Sequence, residues 1–256
     1  MLSTLLTIAR FTSIEVLRGR LLVVLAVALL LALGTAWFVA GLAITEAGDY
    51  RAAVLAAVLR GAAVAIIALF TTAGMVRDYQ EKTLELVLAG AVTRAQYFLG
   101  RLAGFTLIAA LVAIAAGVAM FAVSPGTTAL IWAAQLLLEL ALVTAACMTA
   151  VVTFRQLPLA LAAVGVFYLA ARSVAALELV SRSPLIDRGD GLHTLFAGAI
   201  QALAYLLPEL SRFATSGMFL DASGTWFSMP ALVLETLIYA ALLCVVGLTD
   251  FYRQNL

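Results

Sequence analysis

Charge is scarce in this sequence, and a single lysine and a single histidine narrow the chemistry that the chain can perform. Only 11% of the 256 residues are charged, whereas 65% are hydrophobic and the mean hydropathy is +1.13. A phosphate-binding P-loop requires a glycine immediately before its lysine. The sole lysine, Lys82, follows Glu81. Any ATP hydrolysis linked to this chain must therefore come from another subunit.

The lone histidine and the two cysteines exclude further classes of site. His193 has no second histidine with which to form a multi-histidine metal site. It lies in the loop at 180–228, outside the apolar runs, which excludes Ser-His catalysis within the membrane. Cys147 and Cys244 both fall inside apolar runs, where packing is expected rather than a disulfide. We expect no catalytic residues, no metal site, no cofactor, no nucleic-acid partner and no enzyme activity in the chain by itself.

Long apolar runs are what the sequence has in abundance. A bilayer is crossed by ~20 consecutive apolar residues in a helix, and runs of that length recur along the chain. The sequence thus predicts an all-α polytopic membrane protein with one transmembrane domain over residues 1–256. We place its six crossings at 21–45, 53–76, 97–123, 128–153, 157–179 and 229–250.

Basic residues indicate the orientation of these crossings. Nine of them fall on the side of the two termini and four on the opposite side. Under the positive-inside rule this distribution predicts cytoplasmic termini. The loop at 180–228 is then extracytoplasmic, and the membrane is expected to be a bacterial inner membrane.

Two shorter apolar segments accompany the crossings. Residues 3–20 mix Arg10, Glu15, Arg18 and Arg20 with apolar residues, which favours an interfacial helix on the inner membrane surface or a cytoplasmic extension of the first crossing. Residues 195–207 are apolar but stop at Pro208, too short to cross comfortably. We predict an outer re-entrant or interfacial helix there, with a seventh crossing as the alternative.

The densest polar stretch is Arg77-Asp78-Tyr79-Gln80-Glu81-Lys82-Thr83-Leu84-Glu85-Leu86, between the second and third crossings. Asp78 and Glu81 have capping-box spacing, which predicts a helix over 78–89 that begins at Tyr79 and ends near Gly90. Thr93 and Gln96 repeat this spacing before the third crossing. The alternative is a solvated hairpin whose charges only fix topology. Against it stand the specified helix ends and the four acidic or amide groups, which topology does not need.

This stretch resembles a known family. Together with Thr93-Arg94-Ala95-Gln96-Tyr97-Phe98-Leu99-Gly100-Arg101, it is similar to the cytoplasmic loop of ATP-binding-cassette (ABC) permeases of the type-2 exporter superfamily, which have the type V fold. The six-helix subfamily that includes the nitrous-oxide-reductase maturation permease is especially similar in layout, and Pro208-Glu209-Leu210-Ser211-Arg212-Phe213 also looks like that subfamily. The family often has Gly where Lys82 stands and Arg-Pro where Gly90-Ala91 stands.

The resemblance implies a permease subunit that works with a separate cytoplasmic ATP-binding subunit. Because six helices leave little room for a pathway between them, we expect two copies of the chain to face each other as a homodimer. Residues 78–89 would form the coupling helix that docks on that subunit, and the segment from Arg155 to Leu157 would form a smaller second contact. The residues implied in ATPase coupling are Asp78, Gln80, Glu81, Lys82, Glu85, Arg94 and Arg155.

Four ionisable residues fall inside predicted crossings. Each costs at least ~2.5 kcal/mol at a helix centre unless it is paired, hydrated or close to the interface. Helix rise places Arg60 and Glu139 about 12–17 Å from the outer ends of their helices, and Arg172 and Glu235 about 9–11 Å. These depths predict intramembrane charge pairs between Arg60 and Glu139 and between Arg172 and Glu235. Alternatively these residues line a substrate path, or Arg172 extends to the outer interface.

Three functions remain compatible with these patterns. The first is the membrane subunit of an ABC exporter for an unidentified substrate, embedded in the lipid bilayer. The second is a non-transporting membrane anchor or assembly factor that docks a cytoplasmic partner. A proton-coupled secondary carrier would be expected to contain internal repeats, and we find none in the sequence.

Overall fold

The structure, a computed structural model, describes residues 2–41, 47–81, 92–181, 198, 207–220 and 229–253. Within these ranges the chain forms α-helices and no strand. Two 3₁₀ turns, Leu210–Arg212 and Ser216–Phe219, lie between the last two helices. The helices are α1 (Leu2–Arg18), α2 (Leu21–Ala40), α3 (Ala47–Gln80), α4 (Arg94–Val123), α5 (Thr127–Phe154), α6 (Leu157–Ser181) and α7 (Met229–Arg253).

Six of these helices, α2 to α7, are long and apolar enough to cross a bilayer. The predicted all-α polytopic fold with six crossings is therefore confirmed. The predicted and observed bounds agree to within three residues at both ends of α5 and α6. Helix α3, in contrast, begins six residues before its predicted start and ends four residues after its predicted end. We call the end of the bundle where α3 ends and α4 begins the terminus end, because α1 and the last turn of α7 also lie there.

Helix α5 occupies the centre of the bundle. In its most apolar stretch 67% of the residues are buried, against 17% in α2 and in α7. Helices α3, α4, α6 and α7 all pack against it. Trp132, Leu136 and Met148 on α5 are fully buried, so large apolar side chains fill the middle of the described bundle.

Helix α1 packs closely against the first turns of α4. A Cβ atom on Gly104 would stand 2.6 Å from Thr12 Cβ and 2.8 Å from the carbonyl oxygen of Ala9, and one on Gly100 would stand 2.9 Å from the side chain of Ile8. Only glycine fits at such distances. The two glycines therefore let the α1 backbone approach α4, and α1 is held by the bundle rather than attached only through the turn at Gly19.

The predicted helix that begins at Tyr79 is wrong at its start. Helix α3 continues through Asp78 and Tyr79 to Gln80, and the backbone N–H of Glu81 still donates to the carbonyl of Arg77 at 2.9 Å. Asp78 therefore lies inside a helix and caps nothing. Residues 82–91, with the remainder of the predicted 78–89 helix, lie outside the described residues.

The second predicted capping box is confirmed. Gln96 N–H donates to Thr93 Oγ1 at 3.3 Å, and Thr93 N–H donates to Gln96 Oε1 at 3.0 Å. This reciprocal pair satisfies two of the backbone donors that a helix start leaves free. The beginning of α4 is thereby fixed at Arg94.

The remaining segment predictions have mixed outcomes. A helix at the N-terminus is confirmed as α1, while its position on the membrane surface stays a prediction. The helix predicted at 195–207 lies outside the described residues apart from residue 198 and Leu207. Residues 207–220 follow it and lie at the end of the bundle opposite the terminus end.

Candidate functional site

Arg101 on α4 is the centre of a polar network at the terminus end. Its Nη1 donates to Thr12 Oγ1 at 3.2 Å and to Glu15 Oε2 at 2.8 Å, both on α1. Its Nη2 pairs with Asp78 Oδ1 near the end of α3. Tyr97 OH donates to Asp78 Oδ2 at 2.5 Å and accepts from Arg101 Nε at 3.4 Å. These five residues, which we call the Arg101 network, join α1, α3 and α4.

Burial makes the Arg101 network sensitive to loss of any member. Asp78 is 3% exposed and Arg101 is 7% exposed. Removing one partner of such a pair costs about 3–5 kcal/mol, because the other charge stays buried and unpaired. The network thus holds the end of α3, from which the chain enters residues 82–91, in a fixed position against two other helices.

The residues that were assigned to ATPase coupling lie in different environments in the structure. Asp78 was expected on the docking surface, but it is buried because Arg101 and Tyr97 take both of its carboxylate oxygens. Gln80 and Glu81 are exposed. Lys82 and Glu85 lie outside the described residues.

Arg94 and Arg155 occupy different positions at the same end. Arg94 Nη1 donates to the carbonyl oxygens of Phe251 at 3.0 Å and Tyr252 at 3.3 Å, in the last turn of α7. Arg155 is exposed, caps α5 in the left-handed conformation at φ 55°, and has its guanidinium carbon 5.9 Å from the centre of the Tyr79 ring. Arg94 therefore ties α4 to α7, whereas Arg155 is available at the surface beside α3.

The predicted pairs of Arg60 with Glu139 and of Arg172 with Glu235 do not form as direct contacts among the described residues. Arg172 pairs with Glu139, at 3.4 Å between Nη1 and Oε1, and Tyr168 OH donates to the same oxygen at 2.9 Å. Arg60 Nη1 donates to the carbonyl of Ala214 at 3.2 Å, and Glu235 Oε1 accepts from the backbone N–H of Glu209 at 3.0 Å. Both predicted contacts are absent for the same reason, which is that residues 207–220 lie between these helices.

Residues 207–220, which we call the seated segment, are held through their backbone atoms. Ala214 has the unusual φ of 42°; its carbonyl accepts from Trp132 Nε1 at 3.0 Å, and its N–H donates to Gln135 Oε1 at 3.1 Å. Arg172 Nη1 donates to the carbonyls of Leu210 at 2.6 Å and Phe213 at 3.1 Å. The side chains of Leu210, Phe213 and Ala214 are fully buried. Four helices thus fix this segment in the bundle.

Both clusters pair carboxylates with arginine and tyrosine side chains. Among the described residues, no group of three or more His, Cys, Asp or Glu side chains could hold a metal ion. The carboxylates of both clusters face guanidinium, hydroxyl and backbone N–H donors. The arrangement at the terminus end joins α3 and α4, which flank residues 82–91, to two other helices, α1 and α7.

Sequence reasoning missed most of the Arg101 network. Arg101 and Tyr97 were noted only as part of the stretch that carries the family resemblance and Arg101 as a basic residue that sets orientation, and no contact was predicted for them, for Thr12 or for Glu15. A signal was present, since Arg101 lies between Gly100 and Gly104, and small residues allow another helix to approach a buried charge. The partners on α1 could not be identified without the packing of α1 on α4.

Comparison with protein-family models and with characterised proteins gives no match for this sequence.

Proposed function

We propose that this chain is the membrane subunit of an ATP-driven transporter whose ATPase is a separate cytoplasmic subunit docked at the terminus end. The observation that carries this proposal is the anchoring of both sides of the polar loop at 82–91. On one side the Arg101 network holds Asp78. On the other side a capping box at Thr93 and the contacts of Arg94 hold the start of α4.

Anchoring at both sides is what a force-transmitting loop requires. A loop joined to flexible ends would absorb a push by bending. Here α3 and α4, which flank residues 82–91, are connected by side chains to α1 and α7. Movement of the loop is therefore passed to four helices. Rigid-body motions of this kind underlie switching between two states of a membrane protein.

The docking surface in this proposal consists of Gln80, Arg155 and the loop at 82–91, with Glu81 at its margin. Gln80 and Arg155 are exposed, and Tyr79 lies between them and contacts the guanidinium of Arg155. Lys82 and Glu85 add charges of both signs to the loop. Mixed charge on an exposed helix end favours a soluble partner.

We place the substrate path between two copies of the chain. The centre of the bundle around α5 is filled by Trp132, Leu136 and other large side chains, so one copy offers no room there. A homodimer with one ATPase on each copy would provide a path at the interface. The chain itself would carry no catalytic group. It would lie in the bacterial inner membrane with both termini in the cytoplasm.

Charge reversal at the docking surface tests the proposal. We expect the tagged full-length chain, purified from its native host in lipid nanodiscs, to retain a P-loop ATPase and show vanadate-sensitive ATP hydrolysis. Arg155→Glu and Glu85→Arg should each lose most of that activity. The matched control is Asp49→Arg, a charge reversal on the exposed opposite end of α3, which should retain it.

Two results would contradict the proposal. The first is the purification of a well-folded chain without any ATPase. The second is full ATPase retention in both docking variants. A retained partner without ATPase activity would instead identify the chain as a membrane anchor or assembly factor.

A further inference from the structure

A cavity of about 390 Å³ opens between α1 and the terminus ends of α3 and α4. Ile8 and Phe11 of α1 form its apolar part, and Glu15, Asp78, Glu81 and Arg101 form its polar part. Its volume falls within the ~300–1,000 Å³ of small-ligand sites. The combination of apolar and charged walls fits a molecule with an apolar chain and a charged head.

The charged side chains of the cavity wall differ in whether they have an ion-pair partner. Arg101 donates to Glu15 and Asp78, and Glu15 also pairs with Arg77. Glu81 is exposed, and the structure records no partner for its carboxylate within the described part of the chain. Among contacts within the described part of the chain, Glu81 is thus the carboxylate of the cavity wall that remains for a ligand.

A positive group lies one helical turn from Glu81. Arg77 has a half-exposed side chain, and only part of its five-donor guanidinium is used by Glu15. Residues four apart on a helix lie about 5–6 Å from each other at Cβ. Arg77 does not itself line the cavity, but its pairing with the lining residue Glu15 places a positive group beside the cavity wall, one helical turn from Glu81.

The outer surface of α1 beside the cavity is apolar. Phe11 is 75% exposed and Leu6 is 64% exposed, and both lie near the basic residues Arg10 and Arg18. An exposed apolar face with flanking basic residues is typical of a helix at a membrane surface. With α1 in its predicted position on the membrane surface, the cavity would open at the depth of the lipid headgroups and the first part of their acyl chains.

We propose that this cavity is a binding site for a phospholipid with a primary ammonium headgroup, such as phosphatidylethanolamine. The ammonium donates to the Glu81 carboxylate, the phosphate accepts from Arg77, and an acyl chain lies along Ile8 and Phe11. A primary ammonium carries three N–H donors and forms charge-assisted hydrogen bonds with a carboxylate. A trimethylammonium has no N–H, and an anionic headgroup would be repelled by Glu81.

The test measures lipid retention on the isolated full-length chain, without any ATPase, so its failure is separate from failure of the proposed function. The chain in detergent is given equal amounts of phosphatidylethanolamine, phosphatidylcholine and phosphatidylglycerol with identical acyl chains, and native mass spectrometry counts the bound lipids. We expect retention of phosphatidylethanolamine to exceed that of phosphatidylcholine by about threefold, the size typical of a partly exposed ion pair.

Substitutions at Glu81 assign the preference to the cavity. Glu81→Gln should abolish it, and Glu81→Lys should shift retention towards phosphatidylglycerol. Asp49→Asn removes one exposed carboxylate from the opposite end of α3 and should leave the preference unchanged.

Two outcomes would overturn the proposal. Equal retention of the three lipids by the unaltered chain would leave the cavity to another occupant, such as a basic side chain of a protein partner. An equal loss of preference in Asp49→Asn and Glu81→Gln would show that net charge, rather than the cavity, selects the lipid.

Discussion

Asp78 and Arg101 stand 23 residues apart in sequence and form a buried ion pair that joins the end of α3 to the second turn of α4. The loop at 82–91 lies between them in the chain. The pair therefore fixes the two helices that flank residues 82–91 relative to each other.

Loss of Arg101 should destabilise the protein strongly. Arg101→Ala leaves Asp78 buried without its main partner, and we expect a loss of about 3–5 kcal/mol in the free energy of unfolding. The measurement is an unfolding titration in mixed micelles. Arg10→Ala, which removes an exposed arginine from α1, is the control and should change stability by less than ~0.5 kcal/mol. An Arg101→Ala variant as stable as this control would show that the network is not a structural clamp.

A methyl group at Gly104 should separate α1 from α4. Its Cβ would stand 2.8 Å from the carbonyl oxygen of Ala9, and a backbone atom cannot move aside cheaply. We expect Gly104→Ala to cost about 1–3 kcal/mol and to speed proteolysis within α1. Gly165→Ala on α6 is the matched control, because no atom lies within 4 Å of its added Cβ, and it should be neutral or stabilising by up to ~1 kcal/mol. Similar behaviour of the two variants would contradict the close packing of α1.

The pairing of Arg172 predicts which double variants show coupling. A double-mutant cycle of Glu139→Gln with Arg172→Gln should give an interaction of about 1–3 kcal/mol, since the groups touch within the bundle. The same cycle for Arg172 with Glu235 should give about 0.5 kcal/mol or less. Unfolding titrations of the single and double variants supply both numbers. The reverse order of the two interactions would restore the pairing that depth alone suggested.

Orientation in the membrane can be measured with two single-cysteine additions. Glu81→Cys lies at the terminus end, and Gly217→Cys lies on the seated segment at the opposite end, where it is exposed. An impermeant maleimide should label Gly217→Cys in intact cells and Glu81→Cys only after permeabilisation. The native cysteines add little background, because Cys147 is buried and Cys244 lies within the apolar α7. Labelling of Glu81→Cys in intact cells would place the loop outside and end the proposal of a cytoplasmic ATPase.

The crossings were predictable from the sequence because length and hydropathy alone decide them. Bounds such as Leu157 and Met229 were predicted at the residue where the helix begins. Asp78 was misplaced because the i, i+3 spacing of a capping box also occurs within a continuous helix. Its carboxylate is stabilised by Arg101, so α3 has no need to end before it reaches this charge.

The partners of the intramembrane charges could not be predicted from depth. Depth along a helix fixes one coordinate of a side chain, whereas pairing also depends on which helix faces meet. Arg60 and Glu235 were expected to pair with side chains, yet both contact backbone atoms of the seated segment. A segment without regular apolar periodicity gives no sequence signal that it enters the bundle and supplies carbonyl groups to arginines.

Because the helices bind residues 207–220 through backbone atoms, substitutions in this segment should be tolerated better than substitutions of the helix residues that hold it. Among the described residues, the side chains of Ser211, Thr215 and Ser216 make no hydrogen bond to the helices that hold the segment. Trp132 and Gln135, in contrast, are the buried donor and acceptor that contact Ala214. Evolutionary relatives should therefore vary freely at the former positions and keep the latter. The exposed side chains of this segment can therefore change in evolution while its position in the protein stays the same.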